Sequence, residues 1–577
     1  MCGIAGILHA RSGRPVDEAA LTRMAAALAH RGPDGQGVWI HGPLGLAHRR
    51  LAIIDLAGGR QPMVSPHTGA TLTFNGEIYN FRDLRTELIG KGVRFDEQSD
   101  TEVVLRAYDY WGEDAVHRLH GMFAFAIWDP RRRALFAARD RLGIKPFYYY
   151  WNSDTLVFAS ELKALAARGD VPLAIDEAAF ESYLQLQYIA APSSIFKNVR
   201  PLPPGHVLTI DSGGVLREER YWRAKPAPRG SKKDDVEECR YRLAAAVKSH
   251  LVADVPVGAF LSGGIDSSLI VAHMAALGPV KTFSIGFEGG DRFDERPAAR
   301  QVARHLGTCH HERLVTDEDA VAGVSSMVAR MDEPLADFAA LPTWLVAQSA
   351  ARDVKVVLTG EGADELFGGY PRYRKELWLA PLASLGRPYQ ATHLFSESEI
   401  AGLLGRAPQS RPPGYDAQDD FDRLNRLLVR DLEGWLADDL LVKIDRMTML
   451  CSLEARVPYL DHTFVEFALG IPGRRKMGWL RGTLKKLLRE SAIGLLPEEI
   501  LNRPKHGFTP PLDAWFRGRL GAFAREVLLD ASSPLAARIG PQTVHALLRE
   551  QTRGRRNGHK IWALLVYDLW SRHYGIA

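Results

Sequence analysis

The sequence predicts two architectures in succession: an α+β domain of antiparallel sheets with helices, then an α/β doubly wound domain with a helical C-terminal part. Three observations carry this. Residues 1–212 read as short apolar strands separated by turn residues, with few helical stretches, which is the rhythm of an α+β domain. From Arg223 to Asp235 the chain runs Arg-Ala-Lys-Pro-Ala-Pro-Arg-Gly-Ser-Lys-Lys-Asp-Asp; proline, glycine and charge replace apolar residues there and mark a linker. Beyond it, apolar strand runs alternate with helical periodicity, as parallel βαβ units require. The expected boundaries are 1–212 for the first domain, 213–235 for the linker and 236–577 for the second domain.

Taken in order, the first domain offers strands at Gly3–Leu8, Leu44–Ala47, Ala70–Phe74, Phe123–Trp128 and Ala134–Ala138. Glu18–Ala29 and Thr101–Trp111 recur at helical spacing instead. In the second domain the strand Val257–Leu261 leads through a glycine turn into the helix Ser267–Leu277. The strand Lys281–Phe287, a helix around Arg296–Leu306, the strand Cys309–Val315 and the helix Asp317–Met331 follow. Val354–Leu358 is a further buried strand. From about Leu377 the chain reads as helical, ending in an amphipathic helix near His559–Tyr574, with no internal repeat and no low-complexity tract.

Composition narrows the function. The 577 residues are 46% apolar and 25% charged, which excludes disordered, collagenous and disulfide-scaffold chains. Lys and Arg number 73 against 69 Asp and Glu, too even a balance for a nucleic-acid or polybasic membrane binder. The most apolar window, Ile561–Tyr567, is flanked at once by Lys560 and Asp568, so no membrane span is expected. The N-terminus lacks the charged region and cleavage pattern of a secretory signal. The four cysteines, Cys2, Cys239, Cys309 and Cys451, lie far apart without a CxxC pair. That usage suits a reducing compartment, with the cytoplasm as the default address.

One thiol is oddly placed. Cys2 precedes the small Gly3, and removal of Met1 would expose its α-amine. Such an amine has a pKa of about 7.7–8.0 and can take the thiol proton directly or through water. A buried thiol that happens to stand beside the initiator is the alternative. Four further stretches weigh against it: His30-Arg31-Gly32-Pro33-Asp34, His48-Arg49-Arg50-Leu51-Ala52-Ile53-Ile54-Asp55, Phe74-Asn75-Gly76-Glu77-Ile78-Tyr79-Asn80, and Ser99-Asp100-Thr101-Glu102. Together they resemble the class II glutamine amidotransferase domain, an N-terminal-nucleophile hydrolase fold. The resemblance implies Cys2 as nucleophile, with the Asn75 side-chain amide and the Gly76 N–H as oxyanion hole. Arg50 would hold the glutamine carboxylate, Glu77 and Asp100 the α-ammonium, and Leu51, Ala52, Ile53 and Ile54 would line the site. A type I′ hairpin turn at Asn75-Gly76 is the structural alternative. For Asp34 a helix or turn cap is expected.

Leu261-Ser262-Gly263-Gly264-Ile265-Asp266-Ser267-Ser268 has the physics of an anion cradle. Glycines let N–H groups converge, hydroxyls donate, and a helix N-terminus supplies positive dipole. It is neither a Walker A loop nor GxGxxG, and a serine-capped helix after a glycine turn is the plain alternative. Asp266 suits a Mg²⁺ ligand between carboxylate and phosphate. The loop resembles the SGGxDS pyrophosphate-binding loop of ATP pyrophosphatases. A second segment agrees, Leu358-Thr359-Gly360-Glu361-Gly362-Ala363-Asp364-Glu365-Leu366-Phe367-Gly368-Gly369-Tyr370. The whole pattern resembles the asparagine synthetase (glutamine-hydrolysing) family, which places a glutaminase before an ATP-pyrophosphatase domain. That resemblance implies ATP as substrate and Mg²⁺ as cofactor. Leu261, Ile285, Thr359 and Gly360 would contact adenosine; Ser262, Gly263, Gly264 and Ser267 would surround the phosphates. Asp266 and Asp364 would bind Mg²⁺, and Glu361 would serve adenylate formation. Within Thr483-Leu484-Lys485-Lys486, Lys485 would stabilise charge during acyl transfer; Lys486 in that role, or a solvated helix-face lysine, stays open. Glu454-Ala455-Arg456-Val457-Pro458-Tyr459-Leu460-Asp461 would form part of the active-site wall.

The expected partners are small molecules: glutamine, ATP, and aspartate or another carboxylic acid, with a homodimer left open. The acceptor segment reads Met331-Asp332-Glu333-Pro334-Leu335-Ala336-Asp337-Phe338-Ala339-Ala340-Leu341-Pro342, without the arginine that would grip aspartate. Related enzymes with such a segment amidate sugar acids or peptides. Because ammonia protonates and diffuses, an enclosed apolar passage between the domains is expected. An isolated glutaminase with an inert second domain conflicts with the intact Ser262–Ser268 loop and Asp364. A sugar isomerase or phosphoribosyltransferase partner domain conflicts with the pyrophosphate loop. Cys309-His310-His311-Glu312 resembles a zinc cluster, but neighbours on a strand point to opposite faces. Cys239 and Cys451 read as packing thiols, and Lys232-Lys233 as solvated linker.

Overall fold

The computed structural model describes residues 1–227, 234–288, 294–383, 393–409, 421–478, 483–504, 507 and 509–576. The strands of the N-terminal half are β1 (Gly3–His9), β2 (Gly35–His41), β3 (Leu44–Arg50), β4 (Met63–Val64), β5 (Thr71–Ile78), β6 (Gly121–Asp129), β7 (Ala134–Arg139), β8 (Tyr148–Trp151), β9 (Thr155–Ala159), β10 (Val199–Pro201), β11 (His206–Ile210) and β12 (Leu216–Arg220). They form two six-stranded sheets, ordered β10-β8-β9-β1-β3-β2 and β12-β11-β7-β6-β5-β4. Pairing within both is antiparallel.

Side-chain alternation explains how the sheets stack. In β1, Ile4 and Leu8 meet Ala124 and Ala126 of β6 in a core between the sheets. The intervening Ala5 and Ile7 face outward, against Leu21 and Met24 of the helix Glu18–Ala27. In β6, Phe123, Phe125 and Ile127 face the other way, against the helices Phe81–Gly90 and Asp100–Trp111. Helices therefore cover both outer faces of a two-sheet sandwich. Strands buried on both faces carry continuous apolar runs, which is why β6 reads so strongly and the half-exposed β2 does not. The helix Phe81–Gly90 also goes unread, because only Phe81, Leu84 and Leu88 are buried on it.

The C-terminal half holds one parallel sheet of β13 (Val257–Phe260), β14 (Lys281–Phe287), β15 (Cys309–Val315), β16 (Val356–Leu358) and β17 (Glu454–Arg456). Its order is β15-β14-β13-β16-β17, every pair parallel. The strand order reverses between β13 and β16, so the segments leaving both strands open at the topological switch point, where such sheets bind ligands. The fifth strand differs from the sequence reading, in which the chain after about Leu377 is largely helical. Glu-Ala-Arg lacks a strand's apolar signature; both charged side chains are buried, Arg456 donating to Glu454 Oε1 at 2.6 Å.

The segment 213–235 is not uniformly a linker. Leu216–Arg220 is β12, paired with β11, and a helix spans Asp235–His250, capped by Asp234. Ala224 is buried, and the Ala227 N–H donates to the Glu466 carbonyl. The rest of the expected linker, including Lys232-Lys233, lies outside the described residues. The last helix, Gly558–Tyr574, is buried nearly all round rather than amphipathic. It packs on the helix Glu177–Leu186 of the first half, with Tyr567 4.4 Å from Phe180 and Tyr183 donating to the Ala563 carbonyl. No described helix is long and apolar enough to cross a membrane.

Candidate active sites

The first site is built at the start of β1 and in the middle of β5. The Cys2 N–H donates to Asn75 Oδ1 at 2.9 Å, which fixes the direction of the carboxamide. Asn75 Nδ2 is thereby left buried without a hydrogen-bond partner. An orphaned donor beside a thiol is what an oxyanion needs. Asn75 and Gly76 stand opposite Ala124 and Phe123 within a continuous ladder, so the hairpin turn is not formed. Glycine is required at 76 by crowding: a Cβ there would lie 2.2 Å from the Met122 carbonyl oxygen. The Cys2 sulfur lies 4.0 Å from the Leu51 carbonyl. Burial pushes the thiol above its ordinary range, while the positive N-terminus pulls it back down.

Around this centre the expected grip residues come together. Leu51, Ala52 and Ile53 are buried beside it. The Arg50 guanidinium donates to the Asp55 carbonyl at 2.6 Å, and to the carbonyls of Ile54 and Leu56 at 3.4 Å. Asp100 opens the helix capped by Ser99, and its Oδ2 accepts the Ile78 N–H at 3.0 Å. Burial raises its pKa to about 6. Glu77 is pushed well above the carboxylate range by burial and by Glu454, against the pull of Arg456, whose Nη2 lies 3.4 Å away. Asp34 caps no helix. Its Oδ2 accepts the Ala52 N–H at 2.9 Å and pairs with Lys355 of the second half at 2.8 Å.

The second site lies at the switch point. Ser262 Oγ and Ser267 Oγ stand 3.1 Å apart, and the Gly264 N–H donates to Ser262 Oγ at 3.3 Å. The helix Ile265–Ala275 starts after Gly264 with no side-chain cap, so its serines are turned to the loop and not to capping. Across the reversal, Thr359 follows β16 with its hydroxyl buried and unpartnered. Lys485 Nζ bridges the loops, 2.5 Å from Asp266 Oδ2 and 2.7 Å from Asp364 Oδ1. Lys486 points away, half-exposed and 3.9 Å from Glu490. Gly369 makes room for the cluster: a Cβ there would lie 1.8 Å from Asp364 Oδ1 and 2.2 Å from Lys485 Cε. Leu261 and Ile285 are buried nearby in sequence to the loop and on β14.

Sequence reasoning passes over Lys443, and it gives Arg456 only a place in the Glu454–Asp461 wall. Lys443, on the helix Leu441–Met449, is buried 3.0 Å from Asp337 and 3.9 Å from Glu361. It brings a cation to the acceptor segment that lacks an arginine, from more than a hundred residues away, where no local pattern would show it. Arg456 links Glu77 of the first site to β17, and its carbonyl accepts the N–H of Thr359 in the second. Between the halves, Arg31 is fully buried against Glu161 at 2.6 Å and Asp445 at 2.8 Å. Arg446 pairs with Asp332 at 3.1 Å, and Lys145 lies 3.6 Å from Asp445.

Cys309 and His311 share one face of β15, their side chains 3.5 Å apart, while His310 turns to Glu312, Thr282 and Ser284. That alternation prevents a common ion. Cys239 is buried and Cys451 half-buried.

Comparison with known proteins matches both halves of the chain. Residues 1–222 match the family model for the glutamine amidotransferase domain, and residues 238–572 that for asparagine synthase. Asparagine synthetase [glutamine-hydrolyzing] 1 of Bacillus subtilis (strain 168) is 35% identical over 99% of this chain and 96% of its own. Asparagine synthetase [glutamine-hydrolyzing] 3 of the same organism is 36% identical, covering 88% and 86%. Amidase chry2 of Gibberella zeae is 28% identical, with 92% of each chain covered. With an amidotransferase match over its first half, a synthase match over its second and a relative similar along nearly its whole length, the chain belongs to the asparagine synthetase (glutamine-hydrolysing) family, enzymes of glutamine-dependent amidation.

Proposed function

We propose that the chain converts aspartate to asparagine, using glutamine as nitrogen donor and ATP as activator. The observation that carries this reading is the Asp266–Lys485–Asp364 cluster at the switch point, because a glutaminase alone has no use for it. With Met1 removed, the Cys2 amine takes the thiol proton and the sulfur attacks the glutamine amide carbon. Asn75 Nδ2 and the Gly76 N–H receive the oxyanion, ammonia leaves, and water releases glutamate from the thioester.

At the second site, Ser262, Gly263, Gly264 and Ser267 cradle the ATP phosphates, and Leu261, Ile285, Thr359 and Gly360 hold the adenosine. Asp266 and Asp364 form a hard-oxygen set, and Asp266 Oδ1 is buried without a hydrogen-bond partner, which fits a magnesium ligand. Bound there, Mg²⁺ would neutralise phosphate charge. An acceptor carboxylate oxygen attacks the α-phosphorus and pyrophosphate leaves; ammonia then attacks the acyl carbon of the adenylate, and AMP leaves. Glu361 and Lys485 sit beside these steps, and Lys443 offers the acceptor a cation. Ammonia crosses the interface enclosed. The first functional unit extends through β12 to Arg220 and the second begins with the helix at Asp235, and four free thiols suit a cytoplasmic address.

The test is an acceptor screen that reads pyrophosphate release with ATP, Mg²⁺ and glutamine. Strong release with aspartate supports the reading. Release only with a sugar acid or a peptide carboxylate assigns the chain to another acceptor within the same chemistry.

A further inference from the structure

The interface between the halves carries a side-chain cluster to which neither proposed reaction gives a step. His120 precedes β6 in the first half; Asp461 and His462 open the helix His462–Gly470 in the second. One ligand atom from each of the three lies within 4.8 Å of the other two. His120 Nε2 is 2.6 Å from Asp461 Oδ2, and the two imidazole rings stand nearly perpendicular with centroids 4.6 Å apart. From this convergence we propose that His120, Asp461 and His462 bind a divalent transition-metal ion of the zinc class, clasping the glutaminase half to the synthetase half.

The donor set argues for that class. Two imidazoles and one carboxylate suit Zn²⁺ or Co²⁺, whereas Mg²⁺ and Ca²⁺ prefer oxygen donors alone. The second carboxylate oxygen is already committed: Asp461 Oδ1 accepts the Thr463 N–H at 2.9 Å and the Thr463 hydroxyl at 2.7 Å. Those bonds orient Oδ2 toward the histidines, as an outer hydrogen bond does for a metal-bound carboxylate. The same small cavity is lined by Tyr79, whose hydroxyl is buried without a hydrogen-bond partner, and by His250, 4.0 Å from the Tyr79 ring. Both are polar groups that an ion bound there could draw into its outer shell. Arg141 also lines the cavity; its two terminal nitrogens donate to the carbonyls of Leu119 and His117, while its Nε is buried without a partner. Three protein ligands leave one position for water, beside that tyrosine.

The test uses full-length protein stripped with a chelator and titrated with Co²⁺ without ATP. The site predicts one equivalent with the intense visible absorption of a four- or five-coordinate ion, displaced by Zn²⁺. Co²⁺ held by Asp266 and Asp364 through oxygens would absorb only weakly. His462→Ala and His120→Ala should each lose the band and weaken binding at least tenfold, while Cys2-dependent glutamine hydrolysis persists as proof of folding. No intense band in the wild type, or an unchanged band in both variants, overturns the proposal.

Discussion

Asn75 shows how much one carboxamide decides. Its oxygen is spent on the Cys2 N–H, so its nitrogen is the only part left to meet a developing oxyanion. Asn75→Ala should lower glutaminase kcat about 10²–10³-fold, about 2.7–4 kcal/mol, with a small change in KM. Steady-state kinetics on glutamine reads this directly. Asp100 makes a pH prediction. With a pKa raised by burial to about 6, it is a carboxylate at pH 7.5 and becomes neutral as pH falls through 6. If Asp100 receives the glutamine ammonium, losing its charge weakens glutamine binding, and KM should rise several-fold between pH 7.5 and 5.5. Asp100→Asn should show the high KM already at pH 7.5, with a flat profile in that window. Cys2, Asn75 and Asp100 are legible in the sequence because each sits in a short motif whose spacing a single loop or strand fixes. Lys443 and the partners of Arg456 and Asp34 are not, since those contacts come from other parts of the chain.

Among elements, the parallel sheet was the most readable and its edge the least. β13, β14 and β16 announce themselves as apolar runs before helices, whereas β17 has three residues and two buried charges paired with each other. Propensity and pattern carry no signal for such a strand; only the ladder with β16 makes it one. The helix that begins after Lys485 is a second case. Lys485 stands at its N-cap with φ of 53°, a left-handed conformation that throws its side chain toward the two aspartates while Lys486 faces solvent. Lys485→Ala should abolish amide formation by at least 10²-fold in ammonia-dependent assays, and Lys486→Ala should stay within twofold. Equal losses in both would break the assignment of the buried lysine.

At the scale of the molecule, the halves meet through paired buried charges rather than a purely apolar seam. Arg31, Glu161, Asp445, Arg446 and Lys145 are all buried there, and one unpaired member would cost several kcal/mol. The sequence suggested an apolar passage; the described interface is more ionic than that. Enclosed transfer still makes a measurable claim: labelled external ammonium should not dilute the amide nitrogen during glutamine-dependent turnover, and free dilution would refute enclosure. The central claim is two separable sites on one chain, a thiol that frees ammonia and a nucleotide site that uses it. Cys2→Ala tests it most directly, with amide product measured once with glutamine and once with ammonium as nitrogen source. The two-site account predicts loss of the glutamine-dependent product with the ammonia-dependent product retained near wild-type level. Loss of both in a folded protein, or glutamine-dependent product without Cys2, would contradict it.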